Sequence, residues 1–257
     1  MTPQDILTAL RDQNPLVHCI TNYVAMNIAA NVVLAAGASP AMVHAPEEIP
    51  EFTPICGALT INIGTLSSSW LASMTTAATL AGTHNIPWVF DPVAHFVSEY
   101  RKRAAQDLLA LRPTVIRGNA SEILALAGEA GAGKGADSGD SVEAAQSAAN
   151  ALASKWGTVV AVTGPVDYVT DGTRDAHVSG GSPLMPKITA LGCSQTALMG
   201  GYCASGPAFE ATLAALAHFK VAGTAAAKQA KGPGSFQMHF LDALAATQPQ
   251  DLGQVIA

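Results

Sequence analysis

Short apolar runs alternate with longer alanine-rich stretches along most of this chain, and Gly, Pro, Asp or Asn bounds each run. Apolar runs without polar alternation are typical of strands buried on both faces, and the stretches between them have the length of crossover helices. The predicted strands are residues 16–20, 58–63, 88–90, 114–116 and 158–162. The predicted helices are residues 24–36, 67–82, 99–111, 120–127 and 142–156. The pattern therefore predicts an α/β fold around a mostly parallel sheet.

The C-terminal part of the chain departs from this alternation. Asp171-Gly172 lies between two β-prone arms within residues 167–178, which predicts a hairpin and hence a small antiparallel edge on the sheet. From Gly192 onward the sequence is almost entirely helix-compatible, and Gly232-Pro233-Gly234 separates the last two predicted helices. Because no internal repeat or linker divides the sequence, we expect one domain over residues 1–257.

Charge and cysteine content restrict the type of partner. A net charge of -6 argues against a nucleic-acid binder, which needs a basic face to neutralise phosphates. The four cysteines form no C-x-x-C pair and no leader-like segment is visible, so a reduced, cytoplasmic location is expected. The longest apolar tract, residues 24–43, is interrupted by Asn27, Asn31 and Gly37, so no membrane span is predicted. A small-molecule substrate is the expected partner.

One stretch imitates a phosphate-binding loop. Residues 128–140 are rich in Gly, Ala and Asp and predict a surface loop. They include G-x-x-x-x-G-K at residues 128–134, but Gly135 replaces the expected Ser or Thr and a predicted helix precedes the run. A true phosphate loop follows a strand, so this match does not predict nucleotide binding.

Polar residues stand at the ends of the predicted strands. In parallel sheets, ligands bind beyond the carboxyl ends of the strands. The residues at those positions are Thr21-Asn22, Asn62, Asp91, Arg117-Gly118-Asn119 and Thr163-Gly164. Together they predict a rim suited to an anion and a metal ion.

Each charged residue of this rim also has an ordinary structural explanation. Asp91 suits either a Mg²⁺ ligand or a helix N-cap. Glu122 lies three residues after Asn119, which is the spacing of a capping box. Arg117 suits either a phosphate or a surface acid.

Cys193 lies where a loop is predicted to become a helix. Gly192 and Cys193 are therefore expected at a helix N-terminus, where free amides bind phosphate oxygens and the thiol pKa is lowered. The alternative is packing, since free cysteines are often buried. His95, four residues after Asp91, either faces the site or is an ordinary loop histidine.

Several collinear segments together resemble the hydroxyethylthiazole kinases, which belong to the ribokinase-like superfamily. The matching segments span nearly the whole chain. They are PLVHCITNY at 15–23, GASPAM at 37–42, HAPEE at 44–48, INIGTL at 61–66, RPTVIRGNASE at 112–122, VAVTG at 160–164, DYVTDG at 167–172 and GPGSF at 232–236. The resemblance implies a three-layer ribokinase-like sandwich.

The resemblance also implies an activity. The implied reaction is transfer of the ATP γ-phosphate, with Mg²⁺, to the hydroxyl of 4-methyl-5-(2-hydroxyethyl)thiazole in thiamin salvage. The implied assembly is a homotrimer whose thiazole pockets lie between subunits. The residues that match family positions are Asn22 and Met42 in the thiazole pocket, Asp91 and Glu122 as metal-phosphate acids, Arg117 and Thr163 as nucleotide contacts, Gly192 beside the accepting hydroxyl, and Cys193 in place of a general base.

Two segments depart from the family pattern. Glycine-rich sequence after Asp-Pro-Val is replaced by Ala94-His95-Phe96-Val97, and Gly-Thr-Gly-Cys is replaced by Ala190-Leu191-Gly192-Cys193. Alanine and leucine enter positive φ less readily than glycine, so an anion hole built from backbone amides is at risk. Two alternatives therefore stay open: a kinase for another heterocyclic alcohol, such as a hydroxymethylpyrimidine or a pyridoxal-like compound, and a non-catalytic thiazole- or nucleotide-binding relative.

Overall fold

The structure is a computed structural model and describes residues 1–129 and 140–257. Within these ranges one sheet has eight strands in the order β2-β1-β3-β4-β5-β6-β7-β8. Strands β1 to β6 are parallel, and β7 and β8 are antiparallel to their neighbours. The strands are β1 Leu16–Ile20, β2 Ser39–Ala41, β3 Ala58–Asn62, β4 Trp88–Asp91, β5 Val115–Asn119, β6 Val159–Thr163, β7 Asp167–Thr170 and β8 Asp175–Val178.

Helices cover both faces of this sheet. They are α1 Pro3–Gln13, α2 Met26–Ala36, α3 Ile49–Phe52, α4 Ser68–Thr83, α5 Glu99–Leu109, α6 Ala120–Leu126, α7 Val142–Trp156, α8 Leu191–Ser205, α9 Ala208–Ala227 and α10 Pro233–Ala246. Side chains alternate between the faces along each strand. In β4, Val89 packs toward α1, α2, α8, α9 and α10, whereas Trp88 and Phe90 pack toward α4 and α5. The predicted three-layer α/β architecture is confirmed.

The five predicted parallel strands are all present, but β5 is longer than predicted. It continues through Arg117, Gly118 and Asn119, which were expected to follow it. The cause is a continuous ladder with β6, in which Arg117 pairs with Ala161 and Asn119 pairs with Thr163. Ladder hydrogen bonds thus override the low strand propensity of Gly and Asn. The predicted hairpin is confirmed as β7 and β8.

Three elements in the first part of the chain were not predicted from the sequence, namely α1, β2 and the four-residue helix α3. Helix α1 begins after Thr2, whose hydroxyl accepts a hydrogen bond from the backbone N–H of Asp5 in a capping box. Strand β2 has only three residues, too few for a periodic pattern. The predicted break between the last two helices is confirmed, since α9 ends at Ala227 and α10 begins at Pro233.

The strand ends bring the polar rim together. Parallel strands end at the same edge of a sheet, and Asn62 at the end of β3 pairs in register with Asp91 at the end of β4. Asn119 and Thr163 pair in the same way at the ends of β5 and β6. In the two described ranges, no helix has both the length and the apolar character needed to span a bilayer.

Candidate active site

Asp91 is the most enclosed acid of the rim. Its Oδ2 atom accepts hydrogen bonds from Asn62 Nδ2 at 2.8 Å and Thr196 Oγ1 at 2.7 Å, and Arg117 Nη1 lies 3.5 Å away. Its Oδ1 atom is buried and has no hydrogen-bond partner in the described part of the chain. Burial raises the pKa of Asp91, and the Arg117 charge opposes that shift. The donors around Asp91 are therefore all on one carboxylate oxygen.

A chain of amide side chains connects Asp91 to Cys193. Asn22 Nδ2 donates to Asn62 Oδ1 at 2.8 Å and to Cys193 Sγ at 3.4 Å. Asn62 Oδ1 also accepts from the Gly64 N–H at 2.9 Å, which leaves Asn62 Nδ2 facing Asp91. Asn22 Oδ1 accepts from the Ala25 N–H. Each amide is thus fixed in one orientation by its neighbours, and the sulfur atom of Cys193 is held next to Asn22.

Cys193 lies in the first turn of α8, as predicted, although the helix begins two residues earlier at Leu191. The predicted direction of its pKa shift is wrong. Burial raises the pKa of the Cys193 thiol to about 11, and the nearby Asp91 charge acts in the same direction. Desolvation disfavours the thiolate more than the helix N-terminus favours it, so the thiol is neutral at pH 7.

Glu122 forms the predicted capping box and lies near Asp91. It closes a capping box at the start of α6, because its Oε2 accepts from the Asn119 N–H at 2.8 Å and its backbone N–H donates to Asn119 Oδ1. Its Oε1 accepts from the Ala94 N–H at 3.0 Å. Burial, followed by repulsion from Asp91, raises the pKa of Glu122 to about 7. The cap therefore places a second acid within electrostatic reach of Asp91.

Arg117 lies between the acids and helix α8. Its Nη2 donates to Thr163 Oγ1 at 2.7 Å, and the same nitrogen lies 3.0 Å from the point where a side chain at Gly192 would begin. Gly192 therefore lets the guanidinium approach the first turn of α8 closely. Arg117 pairs with a buried acid and not with the surface acid considered as its alternative. A guanidinium beside free helix amides is suited to phosphate.

A cavity of about 690 Å³ opens beside these groups. Its polar lining includes Arg117, Thr163, Gly192 and Cys193. Its apolar lining comes mainly from the segment before α8 and includes Pro183, Met185, Pro186, Ile188, Leu191 and Phe219. A cavity lined both by anion-binding groups and by apolar side chains has the character of a nucleotide site.

Among the predicted acceptor residues, Asn22 contacts Cys193 directly and Met42 does not line the cavity. Met42 follows β2 and is linked to the site through His44. The His44 ring bonds the carbonyl oxygen of Met42 at 3.2 Å and that of Thr21, the neighbour of Asn22, at 3.3 Å. Asn22 and Met42 thus do not line the large cavity, whereas Gly192 and Cys193 do.

The sequence matches known proteins over almost its whole length. A model of the hydroxyethylthiazole kinase family matches residues 7–250. The chain belongs to the hydroxyethylthiazole kinase family. The predicted resemblance is confirmed.

Individual relatives agree with the family assignment. A hydroxyethylthiazole kinase of Roseobacter denitrificans is 79% identical over 256 residues, covering 100% of both chains. One of Rhizobium rhizogenes is 61% identical and covers 95% of this chain and 92% of its own. The structure of a hydroxyethylthiazole kinase protein from Pyrococcus horikoshii superposes with a TM-score of 0.92 at 38% identity, covering 99% of this chain and 97% of its own.

A more distant structure agrees with the fold alone. The ADP complex of Bacillus subtilis pyridoxal kinase has a TM-score of 0.61 at 18% identity and covers 80% of this chain and 90% of its own.

Two alanines that replace glycines of the hydroxyethylthiazole kinase pattern have the positive φ that glycine favours. Ala190 caps α8 with φ 58°, and Ala94 has φ 48°. His95 does not line the large cavity, because its ring is buried and bonds the Pro92 carbonyl at 3.2 Å, so it is an ordinary loop histidine. The phosphate-loop imitation at residues 128–134 lies mostly outside the described residues.

Three polar residues of this site were not among the residues predicted from the sequence. Thr196 bonds Asp91, Arg101 bonds the carbonyl oxygens of Ile63, Gly64 and Val93, and Lys220 lines the cavity. Lys220 lies inside an apolar helix, where an isolated charged residue is a detectable signal, whereas Thr196 follows Ser194 and Gln195 and gives no such signal. Arg101 gave no such signal, because the predicted helix around it is generally polar.

Proposed function

We propose that this protein transfers the γ-phosphate of ATP to the hydroxyl of 4-methyl-5-(2-hydroxyethyl)thiazole. The observation that carries the proposal is the position of Arg117, whose guanidinium lies against Gly192 in the first turn of α8. The chain belongs to the hydroxyethylthiazole kinase family, in which such a group suits phosphate transfer. In this arrangement the guanidinium and the helix amides bind the transferring phosphate. The rest of the cavity receives the nucleoside, with its base against the apolar lining.

The two acids fit a Mg²⁺ ion carried by the nucleotide. Among the described residues, no three His, Cys, Asp or Glu side chains form a metal-binding group, so an all-protein site is absent there. Mg²⁺ in phosphate-transfer sites is commonly held by one or two carboxylates together with substrate phosphates. The unpartnered Oδ1 of Asp91 and the carboxylate of Glu122 supply that donor set. When bound, the ion neutralises charge on the phosphates.

The acceptor hydroxyl is placed by Asn22, Gly192 and Cys193. Its oxygen bonds to the γ-phosphorus while the bond to the bridging oxygen of ADP breaks, and ADP keeps that electron pair. Because Cys193 is neutral at pH 7, it orients the hydroxyl and is a weak base. The proton is transferred late, to an oxygen of the product phosphate. A loose transition state tolerates this order, because its rate depends mainly on positioning and charge neutralisation.

We also propose that the working form is a homotrimer with acceptor pockets at subunit interfaces. Next to Asn22, Tyr23 is 65% exposed and Val24 is 57% exposed. The Tyr23 ring packs on Trp70, which stacks on His44 at 4.3 Å. An exposed apolar patch beside a binding residue is typical of an interface. Light scattering after size-exclusion chromatography measures the assembly, and a monomer at micromolar concentration would contradict this proposal.

Mass spectrometry of reaction mixtures tests the activity. Purified protein, Mg-ATP and a panel of thiazole, pyrimidine and pyridine alcohols are incubated, with Arg117→Met and the exposed-site control Lys231→Met alongside. We expect phosphorylated hydroxyethylthiazole from the wild type and the control, and little from Arg117→Met. Product from a pyrimidine or pyridine alcohol alone would reassign the acceptor. Thiazole binding without any product would identify a non-catalytic relative.

A further inference from the structure

Lys220 is a buried lysine in the middle of an apolar helix. It lies in α9, and the sequence has no other Lys, Arg, Asp or Glu between Glu210 and Lys228. Its residue is 5% exposed, and lysine is almost never buried unless its charge is compensated. A buried ammonium without partners would oppose folding strongly. The partners of Lys220 therefore indicate why it is present.

All three partners of Lys220 belong to one turn. Its Nζ donates to the Gly164 carbonyl at 2.6 Å and the Pro165 carbonyl at 3.0 Å, and it lies 3.2 Å from Asp167 Oδ1. These contacts match the three donors of an ammonium group. Asp167 Oδ1 also accepts from the Gly164 N–H at 2.9 Å, which closes the turn between β6 and β7. Lys220 thus fixes this turn by contacts from helix α9.

The turn is continuous with the phosphate-binding end of the site. Thr163 immediately precedes it and accepts a hydrogen bond from Arg117. Gly164, Pro165, Asp167 and Lys220 all line the large cavity, whereas Asn22 and Met42 do not. Displacement of the turn would move Thr163 and the cavity wall and would leave the acceptor side in place.

We propose that Lys220 is a positioning residue for ATP: it holds the turn 164–167 in the shape that completes the nucleotide cavity. This inference rests on the proposed function, because it assigns the large cavity to the nucleotide. It predicts an effect on ATP that is separate from the effect on the acceptor. A role limited to fold stability would weaken both equally.

The experiment compares three variants with the wild type. Lys220→Met removes the ammonium but leaves Asp167 buried without its partner, which endangers folding. The double variant Lys220→Met/Asp167→Asn removes both charges, so the turn loses its tether without leaving an unpaired charge. Lys228→Met makes the same charge change at an exposed position just beyond α9 and is the matched control.

ATP affinity is measured by titration calorimetry without acceptor, and KM is measured for ATP and for hydroxyethylthiazole. We expect ATP binding by the double variant to weaken by about tenfold or more, with the acceptor KM within about twofold of the wild type. The control should match the wild type in both quantities. Circular dichroism establishes that the compared variants are folded.

Three results would overturn the inference. They are unchanged ATP affinity in the folded double variant, an equal rise of both KM values, and a wild type that does not bind ATP. If the wild type binds ATP but does not phosphorylate the thiazole, the proposed function fails on its own. In that case the calorimetric comparison still decides the role of Lys220.

Discussion

Replacing Arg117 with methionine should lower both the stability of the protein and its turnover, for different physical reasons. Asp91 is fully buried, and Arg117 is its charged partner at 3.5 Å. Breaking a buried ion pair by removing one member costs about 3–5 kcal/mol. Asn62 and Thr196 still donate to Asp91 in the variant, so the lower end, about 3 kcal/mol, is expected. For a chain of this size that loss lowers Tm by about 6–12 °C.

A second substitution distinguishes the two roles of Arg117. In Arg117→Met/Asp91→Asn the buried charge is gone, so most of the lost stability should return. Turnover should stay about 10²–10³-fold below wild type in both variants, because neither binds the transferring phosphate properly. Thermal unfolding and steady-state kinetics measure these quantities. A double variant no more stable than the single one would refute the stability role of Arg117, and turnover of Arg117→Met within about threefold of the wild type would refute its role in phosphate binding.

Three further substitutions test the surroundings of this pair. Cys193→Ser should keep turnover within about tenfold of wild type at pH 7.5, since a thiol with a pKa of about 11 is neutral there; a hundredfold loss in the steady-state assay would show a true base. In metal-free protein, the pKa of Glu122 is raised from 4.5 to about 7, so the folded state binds an extra proton between these two pH values. The protonated Glu122 therefore contributes to the free energy of unfolding below pH 4.5, and this contribution is lost as the pH rises to 7. Denaturant unfolding at pH 5 and pH 8 should show this loss, at most about 3 kcal/mol, in the wild type and not in Glu122→Gln. Ala190→Gly should raise the free energy of unfolding by about 0.5–1 kcal/mol, because Ala190 has a left-handed backbone that glycine adopts without strain. The control Ala204→Gly lies inside α8 and should lower it. Equal shifts of Tm in the two variants would contradict strain at Ala190.

The layer order of the fold was predictable because parallel strands that are buried on both faces appear in the sequence as continuous apolar runs. Val89 and Val115 pack on one face of the sheet, while Phe90 and Ile116 pack on the other, so both sets must be apolar. Strand β2 has no such apolar run, since its three residues are only partly buried. The end of β5 was not predictable either, because Arg117 to Asn119 become a strand only through pairing with β6.

The candidate site was predictable where a residue's place follows from the topology. Asn62, Asp91 and Thr163 end parallel strands, and such ends must meet at one edge of the sheet. The pKa of Cys193 was not predictable, because the helix terminus is a local feature whereas burial is set by surrounding segments. The contacts of Lys220 were not predictable for the same reason: its partners lie in a turn more than fifty residues earlier in the chain.

The capping role of Glu122 is compatible with the proposed metal-binding role of its carboxylate. Its capping box with Asn119 begins α6 directly at the end of β5, so the cap determines where the carboxylate lies. That position is buried and close to Asp91, which is unfavourable for two acids unless a cation shares the site. The hydrogen bonds of the cap, together with the Ala94 N–H, hold the carboxylate there nonetheless. Capping is thus the means by which the fold keeps a second acid beside Asp91, and the Asn-x-x-Glu spacing indicates the helix start and the acid together.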